Sequence, residues 1–174
     1  GGALPGGITF TAGGVLSGTP NGGTAGSYTA TFTATDQNGC TGSRTLTFRI
    51  CPVISPTITP TSLPVAIPNV AYGPFTFNQT GSAATPITWS HTGTLPTGFT
   101  FTSAGVLSGT TTAPGTFPVT FIATDANGCT GSVAITIQTC LPITVTNPGN
   151  SNGTAGSPFS ATFTQSGAVS PTFT

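Results

Sequence analysis

The chain has 174 residues, and two Arg, two Asp and one His make up its ionisable side chains apart from Tyr and Cys, for a formal net charge of zero. So little charge excludes a basic face for nucleic acid, and one His with two Asp is too few to build most acid–base or metal sites. With 25 Gly and 16 Pro a long helix bundle is excluded, and no apolar run approaches the roughly 18 residues of a membrane span. Gly and Pro at this level suggest disorder, but 12 Phe and a hydrophobic fraction of 36% fall in a regular pattern instead.

In chain order, Tyr28, Ala30, Phe32 and Ala34 alternate with Thr29, Thr31, Thr33 and Thr35, the period of two of a strand with one apolar face. Asp36-Gln37-Asn38-Gly39 is a hairpin turn signal, and Leu46, Phe48 and Ile50 alternate with polar residues on the return. Further strands are expected near Thr57–Thr61, Phe75–Gln79, Ile87–Ser90, Phe99–Thr102 and Val106–Ser108. Phe117, Val119, Phe121 and Ala123 then face inward, Asp125-Ala126-Asn127-Gly128 turns the chain, and Val133, Ile135 and Ile137 follow. About seven short strands per unit of roughly 90 residues is the count of a β-sandwich. Trp89 is expected to fill the gap between sheets, with Phe173 in its place in the other unit, and Phe32, Phe48, Phe121 and Ile135 to join the core.

The chain repeats itself. Leu4–Thr11 matches Leu95–Thr102 and Gly14–Thr19 matches Gly105–Thr110 at an offset of 91, while Ala34–Ser43 matches Ala123–Ser132 and Cys51 matches Cys140 at an offset of 89. Pro74–Gly81 is echoed more weakly by Ala161–Gly167. The expected organisation is the back of one module at 1–54, a complete module at 55–143 and the front of a third at 144–174. Reading Pro171–Thr174 into Gly1–Pro5 approximates Pro86–Trp89 followed by Leu95-Pro96, so 174 residues fit one period of a longer array of two alternating units. Gly1–Pro5 lacks the basic and apolar regions of a signal peptide, in keeping with a window cut from a longer chain.

The combination of Leu-Pro-x-Gly, Gly-Val-Leu-Ser-Gly-Thr and Ala-Thr-Asp-x-Asn-Gly-Cys resembles the immunoglobulin-like, cadherin-like tandem repeats of large bacterial surface proteins. The resemblance covers essentially the whole chain. It implies an all-β fold of tandem immunoglobulin-like sandwiches, extracellular and non-catalytic, and it names no ligand.

Two cysteines fall in each unit. Pairing Cys40 with Cys51, and Cys129 with Cys140, is opposed by geometry: about seven extended residues cover roughly 20 Å, whereas a disulfide needs Cα atoms within about 7 Å. Cys40 and Cys129 would sit at the same pole of successive modules. In an immunoglobulin-like sandwich the last hairpin turn lies at the pole where the chain enters, and the last strand ends at the other. Head-to-tail stacking therefore predicts Cys51–Cys129 across the junction, with Cys140 bonding the Cys40 equivalent of the next copy, at joints stiffened by Pro52, Pro56 or Pro142. The alternatives are four buried free thiols, or zinc, for which neither CxxC nor paired His exists.

Asp36 and Asp125 recur at one place. They read as caps of their own turns, or, by analogy with cadherin-like repeats, as calcium ligands, although calcium takes several acidic oxygens. His91 reads as a surface loop residue, and Arg44 and Arg49 align with Val133 and Gln138, so the module does not require them. The Thr rows read as polar strand faces, with O-glycosylation or ice binding as alternatives. Asn78-Gln79-Thr80 and Asn152-Gly153-Thr154 match the N-glycosylation pattern.

No catalytic, metal-binding or cofactor-binding residue is expected, and no cofactor. Near-zero charge favours lateral self-association. The reading is a structural repeat of an extracellular fibre, stalk or sheath, stiffened by inter-module disulfides, with neighbouring copies of itself as partners. The alternative is a glycan- or protein-binding or spacer module of a large bacterial adhesin, with Tyr72 and His91 as its candidate loop aromatics.

Overall fold

The computed structural model describes residues 2–81, 83–149 and 152–167. The fold is all-β. Strands β1 (Ile8–Phe10), β2 (Leu16–Gly18), β3 (Gly26–Thr35) and β4 (Thr41–Ile50) come first. They are followed by β5 (Ser55–Thr59), β6 (Tyr72–Thr80), β7 (Thr88–Thr92), β8 (Phe99–Phe101), β9 (Val106–Gly109), β10 (Gly115–Thr124) and β11 (Thr130–Thr139). The hairpin of β12 (Thr144–Thr146) and β13 (Thr164–Ser166) ends the series.

Strands β5 to β11 form an immunoglobulin-like sandwich. One sheet has the order β5-β6-β9-β8 and the other β11-β10-β7. The long hairpins are built alike in both units. Strands β10 and β11 pair without a slip from Gly115↔Thr139 to Thr124↔Thr130, and β3 and β4 pair from Gly26↔Ile50 to Thr35↔Thr41. Alternation buries Val119, Phe121 and Ala123 and leaves Thr120, Ile122 and Thr124 half-buried on the other face. On the polar face of the first hairpin the threonines pair across the strands, Thr29 Oγ1 with Thr47 Oγ1 and Thr31 Oγ1 with Thr45 Oγ1, both at 2.9 Å.

The core of the sandwich is aromatic. Phe77 of β6 meets Trp89 of β7 edge-on at 5.7 Å between ring centres and Phe101 edge-on at 5.1 Å, and its ring lies tilted against Phe121 at 4.4 Å. Trp89 thus stands between the sheets, and Phe121 and Leu107 are fully buried. Such aromatic contacts add to the burial of apolar area. Ala66 ties the entering segment to the opposite sheet: its N–H donates to the Gln138 carbonyl, and the Cys140 N–H donates to the Ala66 carbonyl, both at 2.9 Å.

Several expected core residues are only half-buried. Ile135 lies on the edge strand β11 and faces an open groove of about 510 Å3 between that strand and the Pro56–Leu63 segment. Phe32 and Phe48 are half-buried because, among the described residues, β1–β4 form two two-stranded sheets with no counterpart of β5, β6 and β7 over them. Phe173 lies outside the described residues.

Candidate functional site

The two Asp-x-Asn-Gly-Cys turns are built identically. In the first, Asp36 N–H donates to the Cys40 carbonyl at 2.9 Å and Gly39 N–H to the Asp36 carbonyl at 3.1 Å. Gly39 takes a φ of 83° and Gly128 of 82°, a conformation that glycine adopts without steric cost. Asp36 Oδ1 accepts from Asn38 N–H at 2.9 Å and Cys40 N–H at 2.8 Å, and Asp125 Oδ1 accepts from Asn127 N–H and Cys129 N–H, both at 2.8 Å. Each carboxylate therefore holds its own turn closed and presents Cys at a fixed place.

The second turn has further partners. Asp125 is 5% exposed, and its Oδ2 accepts from Ala84 N–H at 3.1 Å, which ties the turn to the loop between β6 and β7. Burial pushes its carboxyl pKa up, but the N–H groups of Cys129, Ala84 and Asn127 and the charge of Arg49 outweigh that and hold it below the usual carboxylate value. Both oxygens are committed to backbone donors. Among the described residues no three His, Cys, Asp or Glu side chains group together.

Cys129, held by that turn, is bonded to Cys51 just beyond β4, with Cα atoms 5.5 Å apart across 78 residues of sequence. The bond joins the exit of the first unit to the last hairpin turn of the second, the pair that head-to-tail stacking predicts. Around it, Gly26, Arg49, Pro52, Ala84, Asp125 and Asn127 line a cleft of about 140 Å3. Backbone packing is tight beside it: a Cβ on Gly131 would fall on the carbonyl oxygen of Ile54. Cys40 and Cys140 are exposed free thiols.

Arg49 is the residue that sequence reasoning passed over. Aligned with Gln138, it reads as dispensable, yet its charge acts on Asp125 of the neighbouring unit. The signal was present, because Arg49 lies two residues before Cys51 and Asp125 four before Cys129. Once those cysteines pair, the two opposite charges are brought together.

The proposed loop aromatics lie elsewhere. Tyr72 opens β6 and is buried, stacked on Phe99 at 4.8 Å, and its hydroxyl donates to the Pro64 carbonyl at 2.8 Å. Burial pushes its pKa up to about 12. His91 belongs to β7 rather than to a loop and is half-buried, with its ring 6.0 Å from that of Phe101 and 6.5 Å from that of Phe121. The strand continues past Trp89 because residues 88–92 pair with β10, from Thr120↔Thr92 to Thr124↔Thr88.

Among solved structures, the chain is similar to the extracellular cadherin domains 1–4 of protocadherin gamma B7, with 11% identity and a TM-score of 0.36. That match covers 79% of this chain and 40% of the other. No curated protein matches. The family model described as "Putative Ig domain" matches residues 1–50 and again 52–139, the two stretches meeting at Cys51. Many cell-surface domains share this architecture, and the architecture alone fixes no function. With two successive matches of that model running along most of its length, the chain belongs to the Ig-domain family.

Proposed function

We propose that this chain is a non-catalytic structural repeat of an extracellular fibre, stalk or sheath, with module divisions at 1–54, 55–143 and 144–174. The observation that carries this reading is the Cys51–Cys129 bond between the exit of one unit and a turn of the next. A tether there restricts bending at the joint, and Pro52 beside it restricts the linker. Disulfides persist in oxidising, extracellular surroundings. The chemically versatile side chains serve structure: Asp125 holds three N–H groups and His91 packs against phenylalanine rings. The adhesin alternative loses its loop aromatics, since Tyr72 is buried and His91 sits in a strand.

The exposed thiols Cys140 and Cys40 stand at the places of Cys51 and Cys129. Cys140 of one copy bonds Cys40 of the next. The two thiols give up two protons and two electrons to a disulfide-exchange oxidant, and one S–S bond forms. Oxidation of the purified chain in a glutathione buffer tests this. Non-reducing electrophoresis should show a ladder that collapses with reductant and is absent from Cys140→Ser. Peptide mapping should find Cys40 linked to Cys140. A Cys40–Cys51 peptide, or no ladder at any protein concentration, overturns the reading.

A further inference from the structure

The joint between the first and second units lies wholly inside the chain and combines three kinds of contact. The Cys51–Cys129 bond closes it covalently. The linker packs onto the second unit, where Ile54 is 6% exposed and its carbonyl lies at the place a Cβ on Gly131 would take. The third contact is electrostatic. Arg49 from the first unit and Asp125 from the second line one cleft of about 140 Å3, together with Pro52 and Cys129.

The two charges differ in freedom. Asp125 is fixed, since Oδ1 accepts from the Cys129 N–H at 2.8 Å and Oδ2 from the Ala84 N–H at 3.1 Å. The carboxylate therefore keeps a set place beside the cysteine of its own turn. Arg49 is exposed, two residues before Cys51 near the end of β4, and arrives with the first unit. The other Arg and Asp lie elsewhere: Arg44 stands opposite Phe32 and Asp36 lies in the turn beyond, at the far end of the hairpin from the Ser27↔Arg49 pair. The field across the cleft thus comes from one cation and one carboxylate. Gln138 takes the place of Arg49 before the matched Cys140, so the cation belongs to this joint rather than to the module.

We propose that Arg49 is a positioning residue for the inter-unit disulfide: its attraction to Asp125 holds the exit of the first unit against the turn of the second, raises the effective concentration of the Cys51 thiol at Cys129, and makes the closed bond harder to reduce. The argument is one of linkage. Closing the bond brings the opposite charges together, and coupling between two equilibria is reciprocal, so the charges favour the bond by the same factor. When the bond forms, the thiol hydrogens of Cys51 and Cys129 pass to glutathione disulfide, whose S–S bond breaks to give two glutathione thiols as one protein S–S bond is made. Arg49 takes no part in that exchange and acts only through Asp125. Because its side chain is exposed, the effect is that of a partly screened pair, about two- to five-fold in the exchange equilibrium. The proposal concerns a bond within one chain and holds whether or not copies join into a fibre.

The test uses the whole chain carrying Cys40→Ser and Cys140→Ser, so that Cys51 and Cys129 alone can pair. It is equilibrated in mixtures of reduced and oxidised glutathione, and free thiols are trapped by alkylation and counted by intact mass. At low salt Arg49→Gln should lower the equilibrium constant for closing the bond about two- to five-fold, and the gap should close in about 0.5 M NaCl. Arg49→Lys should recover most of the loss, and Arg44→Gln should match the parent. In an Asp125→Asn chain, replacing Arg49 should change nothing further. Trp89 fluorescence checks that each variant keeps its complete sandwich, which an exposed side chain on β4 does not support. An Arg49→Gln chain that matches the parent at low salt overturns the proposal. So does a loss that persists in high salt, or one of equal size in the Asp125→Asn chain.

Discussion

The same sequence blocks occur twice in this molecule with different fates. In the second unit Phe121 is fully buried, Asp125 is 5% exposed and Cys129 is 1% exposed within a disulfide. In the first unit Phe32 is half-buried, Asp36 is exposed and Cys40 is an exposed thiol. The local structures are nearly identical, down to the ten-residue hairpin register and the carboxylate-held turn. The difference comes from what lies opposite. Strands β5, β6 and β7 cover one copy, and no described strands in those places cover the other. Identical local sequence therefore yields a sealed core in one place and, among the described residues, a half-buried face in the other.

Paired substitutions break or sharpen this contrast. Phe121→Ala should cost about 3–5 kcal/mol by leaving a cavity in the core, whereas Phe32→Ala should cost no more than about 1–2 kcal/mol. Calorimetry on the monomeric chain would measure both, with fluorescence of Trp89 isolating the complete sandwich, and equal costs would remove the distinction. Next in size, Cys51→Ser should destabilise by about 2–4 kcal/mol through loss of the long closed loop. Cys40→Ser should leave the monomer's denaturation midpoint unchanged.

Gly131→Ala forces a side chain against the Ile54 backbone and should cost about 1–3 kcal/mol. Gly42→Ala, with open space around it, should fall within about 0.5 kcal/mol of the parent. The smallest effect concerns acid. The Asp125 carboxyl is held below its ordinary value of 3.8, so the stability it contributes is present above that pH and is lost as pH falls through the lower folded value. Thermal unfolding followed through Trp89 should lose this acid-dependent step in Asp125→Asn and keep it in Asp36→Asn. An unchanged acid profile in Asp125→Asn would show that the carboxylate's bonds do not contribute.

Much of the fold could be read directly from residue order. The period-two alternation of Tyr28–Thr35 and Phe117–Ala123 places both long hairpins, and Asp-x-Asn-Gly locates their turns. Misreadings came where pairing partners decide. His91 looks like a loop residue because Gly93 follows closely, but hydrogen bonding to β10 extends the strand through Thr92. Tyr72, flanked by Gly73 and Pro74, looks like an exposed loop aromatic, yet its hydroxyl finds the Pro64 carbonyl and its ring finds Phe99. Arg49 aligned with an uncharged residue, and only the juxtaposition of two units gives its charge an object.

Residue order by itself determined the strands, the turns, the duplication and the places of the cysteines, because alternation and turn chemistry are local properties. Burial was decided by tertiary structure. Whether Phe32 or Phe121 is sealed, which carboxylate feels Arg49 and which thiols meet all depend on groups distant in the chain. Apolar burial and disulfide closure need a second surface at contact distance, and two copies of one sequence motif can differ completely in what stands across from them.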